Sequence, residues 1–401
     1  MRSGSGKILI IGGGIGGAGA AIALRNNGFD ATVYEARSAR GTQYGGCYVL
    51  WYAGVMSLAR LGLLDKAIAL GHRVDRFEMC GEHGSTHYSV DMAARIAAND
   101  VTPLAIRRAD LLNLLYGELG ADALHLNSTM ATMSQDGSGV TATFTDGRTA
   151  RGTVLIGADG LQSRVRAHLH GLTPPRHPGY AHWSGISETD GGAPAGVFRI
   201  LHGRAARFAF FHLGDGRVCW WAVRNGPAGR GSDHLGVYAG LTRFFRDWGP
   251  IVTGLLAATK PSSIHRRDTF DRSPLMRWGS GRVTLLGDAA HAMTFDLGQG
   301  AGTSLTDGVV FADQWARRGA PIAALRGYER ARRKVTLPLV LASRQIGAAT
   351  AWGGPFGPQA NALILRTLGA KVTPPLLALD ARSHATLHPF AMGETESISV
   401  G

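Results

Sequence analysis

Apolar positions along this chain change their spacing from segment to segment, and the changes mark its elements. KILIIGGGIGGAG, residues 7 to 19, is a short apolar run that breaks into glycines and continues as the helix-prone AGAAIALRNNG, which predicts strand, tight turn and helix. A second run, DATVYE, predicts a strand ending on Glu35. VLIGADG at 154 to 160 and RVTLLGDAA at 282 to 290 share the unbroken apolar character of strands buried on both faces of a parallel sheet. Between them lie the loop ARSARGTQYGG, a helix expected near Gly54 to Leu70, and a helix over Asp110 to Leu119 that Asp110 or its neighbour would cap. Strands are expected at Ala123 to Leu126 and Gly139 to Thr145, a hairpin turn at Asp146 to Thr149, and a helix beginning at LQSRVR.

From about Leu172 to Leu275 the texture changes, and proline and glycine punctuate short aromatic strands. RFAFFHL, the turn GDG and VCWWAV predict a hairpin. If Asp215 and Gly216 form its two-residue turn, Phe208, Phe210 and His212 share a face with Cys219, Trp221 and Val223, and Phe211 and Trp220 take the other. Both faces are then apolar, which fits a sheet roofing a ligand cavity beneath a helical layer, and fits a sandwich core as well. Because 282–290 restores the parallel pattern, the expected class is α/β (α+β). A Rossmann-like nucleotide-binding domain at 1–171 and 276–345 is interrupted by an antiparallel β-sheet domain at 172–275 and followed by a helical C-terminal segment and tail at 346–401. Part of 72–105 is open to either domain.

With 401 residues, 45% of them hydrophobic, the chain can bury a large core in two domains. Its net charge of +13 invites a nucleic-acid reading, but lysine is confined to Lys7, Lys66, Lys260, Lys334 and Lys371, and no basic run or aromatic-basic repeat occurs. The charge suits anionic nicotinamide cofactors or substrates, or simply a solvated surface. Cys47, Cys80 and Cys219 form neither a disulfide framework nor a CxxC metal pair, so a reducing cytoplasm is expected and a metal is not. The uncharged run from Ile8 to Leu24 is too short to span a bilayer, and no membrane insertion is expected.

The chemistry begins at the glycines. In a strand–turn–helix unit Gly12 permits the sharp turn, Gly14 lets backbone approach a pyrophosphate, and Gly17 lets helix pack on strand, while the helix N-terminus offers free N–H groups. Glu35 stands where a carboxylate accepts ribose hydroxyls, which suits FAD or NAD better than NADP. Asp288, in RVTLLGDAAHAMTFDLGQGAG, ends a buried strand, where its carboxylate can be fixed by neighbouring backbone or cap the next helix. Gly298, Gln299 and Gly300 precede the helix-like SLTDGVVFADQWA, whose N-terminus would stabilise negative charge on a bound group. His291 reads as structural. Asp159 and Arg164 read as cofactor-linked, or as a plain salt bridge.

GGGIGG with Glu35, GADG at 157–160 with Arg164, and LLGDAAH with GQG at 298–300, in that order, resemble the single-component FAD-dependent aromatic hydroxylases of the para-hydroxybenzoate hydroxylase fold over about residues 5 to 320. The resemblance implies FAD held by Gly12, Gly14, Gly16, Gly17, Glu35, Ala36, Arg37 or Arg40, Arg108, Asp159, Gly287, Asp288, Gly298, Gly300 and Ala301, with Asp159 also serving nicotinamide access. It implies NADPH or NADH as electron donor, O2 as co-substrate, and a flavin C4a-hydroperoxide that hydroxylates or epoxidises an aromatic or polycyclic small molecule without protein nucleophile or metal. Trp183, Phe210, His212, Trp221 and Phe295 are the candidate pocket residues. In the family, proline usually stands where this chain has Phe295, and often at Ala292 too. HWSGI and CWWAV are not the WxWxIP of flavin halogenases, and the GDAAH half-site is foreign to NAD-dependent dehydrogenases. An oxidase, or an enzyme using FAD as a scaffold for cyclisation or rearrangement, stays as the alternative. The chain is expected to act as a monomer or homodimer.

Overall fold

The chain is seen in a computed structural model that describes residues 6–38, 46–92, 101–229, 234–352, 354, 359, 362–363, 366–367 and 379–387. It opens with β1 (Ile8–Ile11), α1 (Ile15–Asn26), β2 (Ala31–Tyr34), β3 (Cys47–Leu50), α2 (Tyr52–Arg60) and α3 (Leu64–Leu70). Then come β4 (His72–Arg73), β5 (Arg76–Gly81), β6 (Thr86–Asp91), β7 (Leu104–Arg107), α4 (Arg108–Leu119) and β8 (Leu124–His125). The meander β9 (Met130–Gln135), β10 (Val140–Phe144) and β11 (Thr149–Gly152) leads to β12 (Val154–Gly157) and α5 (Arg164–His170). Next are β13 (Tyr180–Ser187), β14 (Val197–Gly203), β15 (Ala206–His212), β16 (Val218–Asn225), α6 (His234–Phe245), α7 (Pro250–Ala257) and β17 (His265–Asp268). The last are β18 (Val283–Leu285), α8 (Asp288–His291), α9 (Gly300–Arg318) and α10 (Pro321–Thr350).

The apolar runs become a five-stranded parallel sheet in the order β18-β12-β1-β2-β8. Every residue of β1, β2, β12 and β18 is buried, which is why these strands read as continuous hydrophobic segments. β18 reaches this sheet from far down the chain and lies beside β12, with Val283 opposite Leu155. Two glycine contacts set the layer above it. A Cβ at Gly17 would lie 2.0 Å from the Gly12 carbonyl oxygen, and one at Gly308 would lie 2.7 Å from the Ala20 backbone, so α1 sits tight against both β1 and α9.

The second large sheet has seven strands in the order β17-β13-β16-β15-β14-β5-β6. It is antiparallel except where β14 meets β5 in parallel, because β5 and β6 come from the 76–91 segment and not through a hairpin. Phe208, Phe210 and Trp220 cover one face and pack on α6 and α7, with Phe208 and Trp220 stacked at 5.5 Å and Phe245 of α6 5.3 Å from Phe208.

Three local expectations are corrected. The helix expected over Gly54 to Leu70 is two helices, α2 and α3, turning at Leu61 and Gly62. Asp110 does not cap α4; its carboxylate is taken by Arg107 at 2.6 Å. The β15–β16 hairpin has a three-residue loop, Gly214 to Gly216, with Leu213 N bonded to Arg217 O and His212 opposite Val218. One extra loop residue shifts the register by one and reverses the facing. Phe208, Phe210 and His212 therefore share their face with Val218, Trp220 and Ala222, and Phe211 joins Cys219 and Trp221 on the other.

α10 runs unbroken through position 346, so the expected boundary there falls inside a helix. A 3₁₀ turn at Asp380–Thr386 folds back on α2 and α9. No described helix is long and apolar enough to cross a membrane.

Candidate active site

A cavity of about 1210 Å³ joins the two sheets. One part is bounded by the β1–α1 turn, the end of β2 and the N-terminus of α9; the other is roofed by the seven-stranded sheet.

Gly12, Gly14, Gly16, Glu35, Ala36, Arg37, Arg108, Asp159, Gly287, Asp288, Gly298, Gly300 and Ala301 all border this cavity. Gly17 lies one step behind, and Arg40 falls outside the described residues. Gly12 has φ +107°, and a Cβ there would lie 2.3 Å from the Ala158 carbonyl oxygen, so both conformation and space demand glycine. Gly14 differs: among the described residues a Cβ there would meet no atom within 4 Å, so its surroundings are open on the cavity side of the α1 N-terminus. Gly13 N donates to Glu35 Oε2 at 2.6 Å, Arg37 N donates to Oε1 at 2.9 Å, and Tyr116 Oη donates to Gly13 O at 2.8 Å. These bonds fix the glycine turn to the end of β2.

Asp288 starts α8 without capping it, after Gly287 at φ +61°. Its side chain opens on the cavity, and no hydrogen bond to it is seen among the described residues. Desolvation by the surrounding protein pushes its carboxyl above the usual range, His291 draws it down, and Asp307 pushes it up. Nearby, burial pushes the Tyr48 phenol up, while Arg108 and Arg267 draw it down. Gly300 and Ala301 form the first turn of α9, so a second helix N-terminus opens on the same cavity.

Other acids serve the frame. Asp159 accepts from Ser163 Oγ and from the backbone N–H of Arg164 (2.7 Å) and Val165 (3.2 Å) at the start of α5, and burial raises its carboxyl. Arg164 turns away to the Met130 carbonyl at 2.9 Å, so the pair makes no salt bridge. His291 Nε2 meets Asp307 Oδ2 at 2.6 Å, the structural role its place in the turn suggests. Asp307 also accepts from Gly287 N at 2.8 Å and from the buried Arg332 at 2.6 Å, and Arg332 continues to Asp380 at 2.6 Å. His291 and Arg332 hold the Asp307 carboxyl below its usual range against the opposing effect of burial.

Of the expected pocket residues, Phe295 and Trp221 border the cavity. The corrected register puts Phe210 and His212 on the helix-covered face, where His212 Nε2 donates to Ala193 O at 2.8 Å. Trp183, opposite Ala222, packs on that face too, with the Arg266 guanidinium 5.7 Å from its ring. Sequence reasoning missed Tyr48, Trp51, His182, His202 and Arg267 on the cavity wall. The period-2 alternation of FRILH in β14, which puts Phe198, Ile200 and His202 on one face, was the available signal for His202. Phe295 contacts His182 at 4.6 Å and lies under Arg207, whose charge is met by Asp296 at 2.7 Å; Tyr180 also bonds Asp296. Among the described residues, no group of three or more His, Cys, Asp or Glu is placed to hold a metal ion.

Residues 6–190 match the family model described as an FAD binding domain. The chain is 34% identical over 342 residues to the FAD-dependent urate hydroxylase of Klebsiella pneumoniae subsp. pneumoniae, covering 84% of this chain and 89% of that protein. It is 30% identical over 380 residues to the aurachin C monooxygenase/isomerase of Stigmatella aurantiaca, covering 95% and 97%. The crystal structure of Klebsiella pneumoniae HpxO complexed with FAD and uric acid superposes with a TM-score of 0.88 at 31% identity, covering 96% of this chain and 98% of that one.

Proposed function

The chain belongs to the family of FAD-dependent aromatic hydroxylases, and from that premise we propose that it inserts one oxygen atom of O2 into an aromatic or polycyclic small molecule, consuming NADPH or NADH. The observation that carries this reading is one cavity that joins two helix N-termini and the Asp288 carboxylate to an aromatic sheet face. Bound FAD supplies the redox chemistry and the activation of oxygen.

The residues present fit FAD. The open space at Gly14 and the α1 N-terminus suit a diphosphate. Glu35, Ala36 and Arg37 would flank the adenosine side; the Glu35 carboxylate keeps lone pairs for a ribose hydroxyl after accepting from Gly13 and Arg37. Asp288 would accept a ribityl hydroxyl, Arg108 would steady the flavin side, and Gly298, Gly300 and Ala301 would aim the α9 dipole at charge developing on the flavin. Asp159 holds α5 in place and leaves the neighbouring surface for a passing nicotinamide. The aromatic face keeps water from the reacting centre. In this division 1–171, apart from the strands at 76–91, and the segment from 276 through α10 serve FAD, and 172–275 with the strands at 76–91 serve the substrate. Three free cysteines support a cytoplasmic setting, and the chain acts as a monomer or homodimer.

The test is to purify the protein, record its visible spectrum and follow NADPH and NADH oxidation against a panel of aromatic compounds. A yellow protein whose nicotinamide oxidation is stimulated by one class of aromatic is expected. A colourless folded protein, or a substrate rearranged without oxygen uptake, contradicts the reading.

A further inference from the structure

The seven-stranded sheet presents graded rows to the cavity. Strand register aligns Phe77 with Phe198, then Met79 with Ile200, Ala209, Trp221 and Ser184, and finally His202 with Arg207, Val223, His182 and Arg267. The first two rows are largely apolar. The last is polar.

His202 stands out in that row. It borders the cavity, only 9% of its surface is exposed, and among the described residues no protein group bonds either ring nitrogen. Burying a polar group without a partner is costly, so a residue serving only to pack would be apolar here. We propose that His202 is a specificity-determining residue that hydrogen-bonds an uncharged hydroxyl or carbonyl of the substrate, whose rings lie on Ile200, Phe198 and Trp221. This inference rests on the monooxygenase reading above and names the chemistry its substrate carries.

The charge around His202 favours an uncharged group. Arg207, directly opposite, is neutralised by Asp296 at 2.7 Å. Burial draws the His202 imidazole down to about 3, with Arg207 and His87 adding to the effect, so it is neutral at working pH. A neutral imidazole offers one donor and one acceptor and gives a carboxylate no compensating charge.

The experiment titrates the FAD-loaded enzyme with 2-naphthol, naphthalene and 2-naphthoate, reading the flavin difference spectrum. Wild type is expected to bind 2-naphthol about tenfold more tightly than naphthalene, the scale of one net hydrogen bond, and to bind 2-naphthoate no better than naphthalene. His202→Phe should bring the naphthol-to-naphthalene ratio to about one with FAD content unchanged, and His202→Asn, which keeps a donor and an acceptor, should retain part of the preference. A preference that survives His202→Phe, equal binding of 2-naphthol and naphthalene by wild type, tighter binding of 2-naphthoate, or binding of none of the three overturns the assignment. Failure of the enzyme to take up FAD, or to oxidise NAD(P)H with any aromatic, instead counts against the monooxygenase reading itself.

Discussion

Gly14 and Asp288 separate holding a cofactor from holding a fold. Among the described residues, a Cβ at Gly14 meets no atom within 4 Å and no hydrogen bond to Asp288 is seen, so Gly14→Val and Asp288→Ala should both purify folded but depleted of FAD. Absorbance at flavin wavelengths, set against circular dichroism, checks this; two folded, fully yellow variants would remove both residues from the site. Phe295 poses a different question. It is the first residue of a 3₁₀ turn after Thr294, a position where proline's fixed φ and missing N–H are tolerated. What proline removes is the ring against His182 and beneath Arg207. Phe295→Pro should therefore keep FAD and change the ratio of product formed to NAD(P)H consumed; an unchanged ratio and product profile would make Phe295 a neutral replacement.

At the scale of elements, α9 is the part that lets the nucleotide turn and the GDAAH segment meet, because its glycine faces admit α1 and α2 at close range. Gly308→Val drives side-chain atoms into the Ala20 backbone and should destabilise the protein by about 1–3 kcal/mol, read as a lower denaturation midpoint, with no direct effect on the flavin spectrum of what remains folded. The glycine motifs were legible because each acts locally: a turn, a close approach and a helix start follow from neighbouring residues. The substrate face was not. Its orientation depends on whether the hairpin loop after Leu213 holds two residues or three, and that single residue moves Phe210 and His212 from the cavity to the helical layer. The parallel sheet could be read from its unbroken apolar strands, whereas the recruitment of β5 and β6 into the second sheet has no local signature.

Across the whole molecule, positions 307, 332 and 380 come together from three distant segments, which no spacing in the sequence announces. Arg332 is wholly buried between Asp307 and Asp380, and Asp307 in turn holds Gly287 and His291, so the ion cluster supports the wall that carries Asp288. Arg332→Met leaves two buried carboxylates without their counter-ion and should cost about 3–5 kcal/mol of stability, measured as a drop in the thermal midpoint, and should loosen FAD with it; an unchanged midpoint would show the cluster to be dispensable. The same architecture joins a nucleotide half and an aromatic half through one cavity, and the claim that this union makes a monooxygenase is tested most directly by the origin of the oxygen in the product. With a substrate that stimulates NAD(P)H oxidation, turnover under ¹⁸O2 should give product carrying one labelled oxygen atom. Product whose added oxygen comes from water, or product formed with no oxygen gained, would contradict the account.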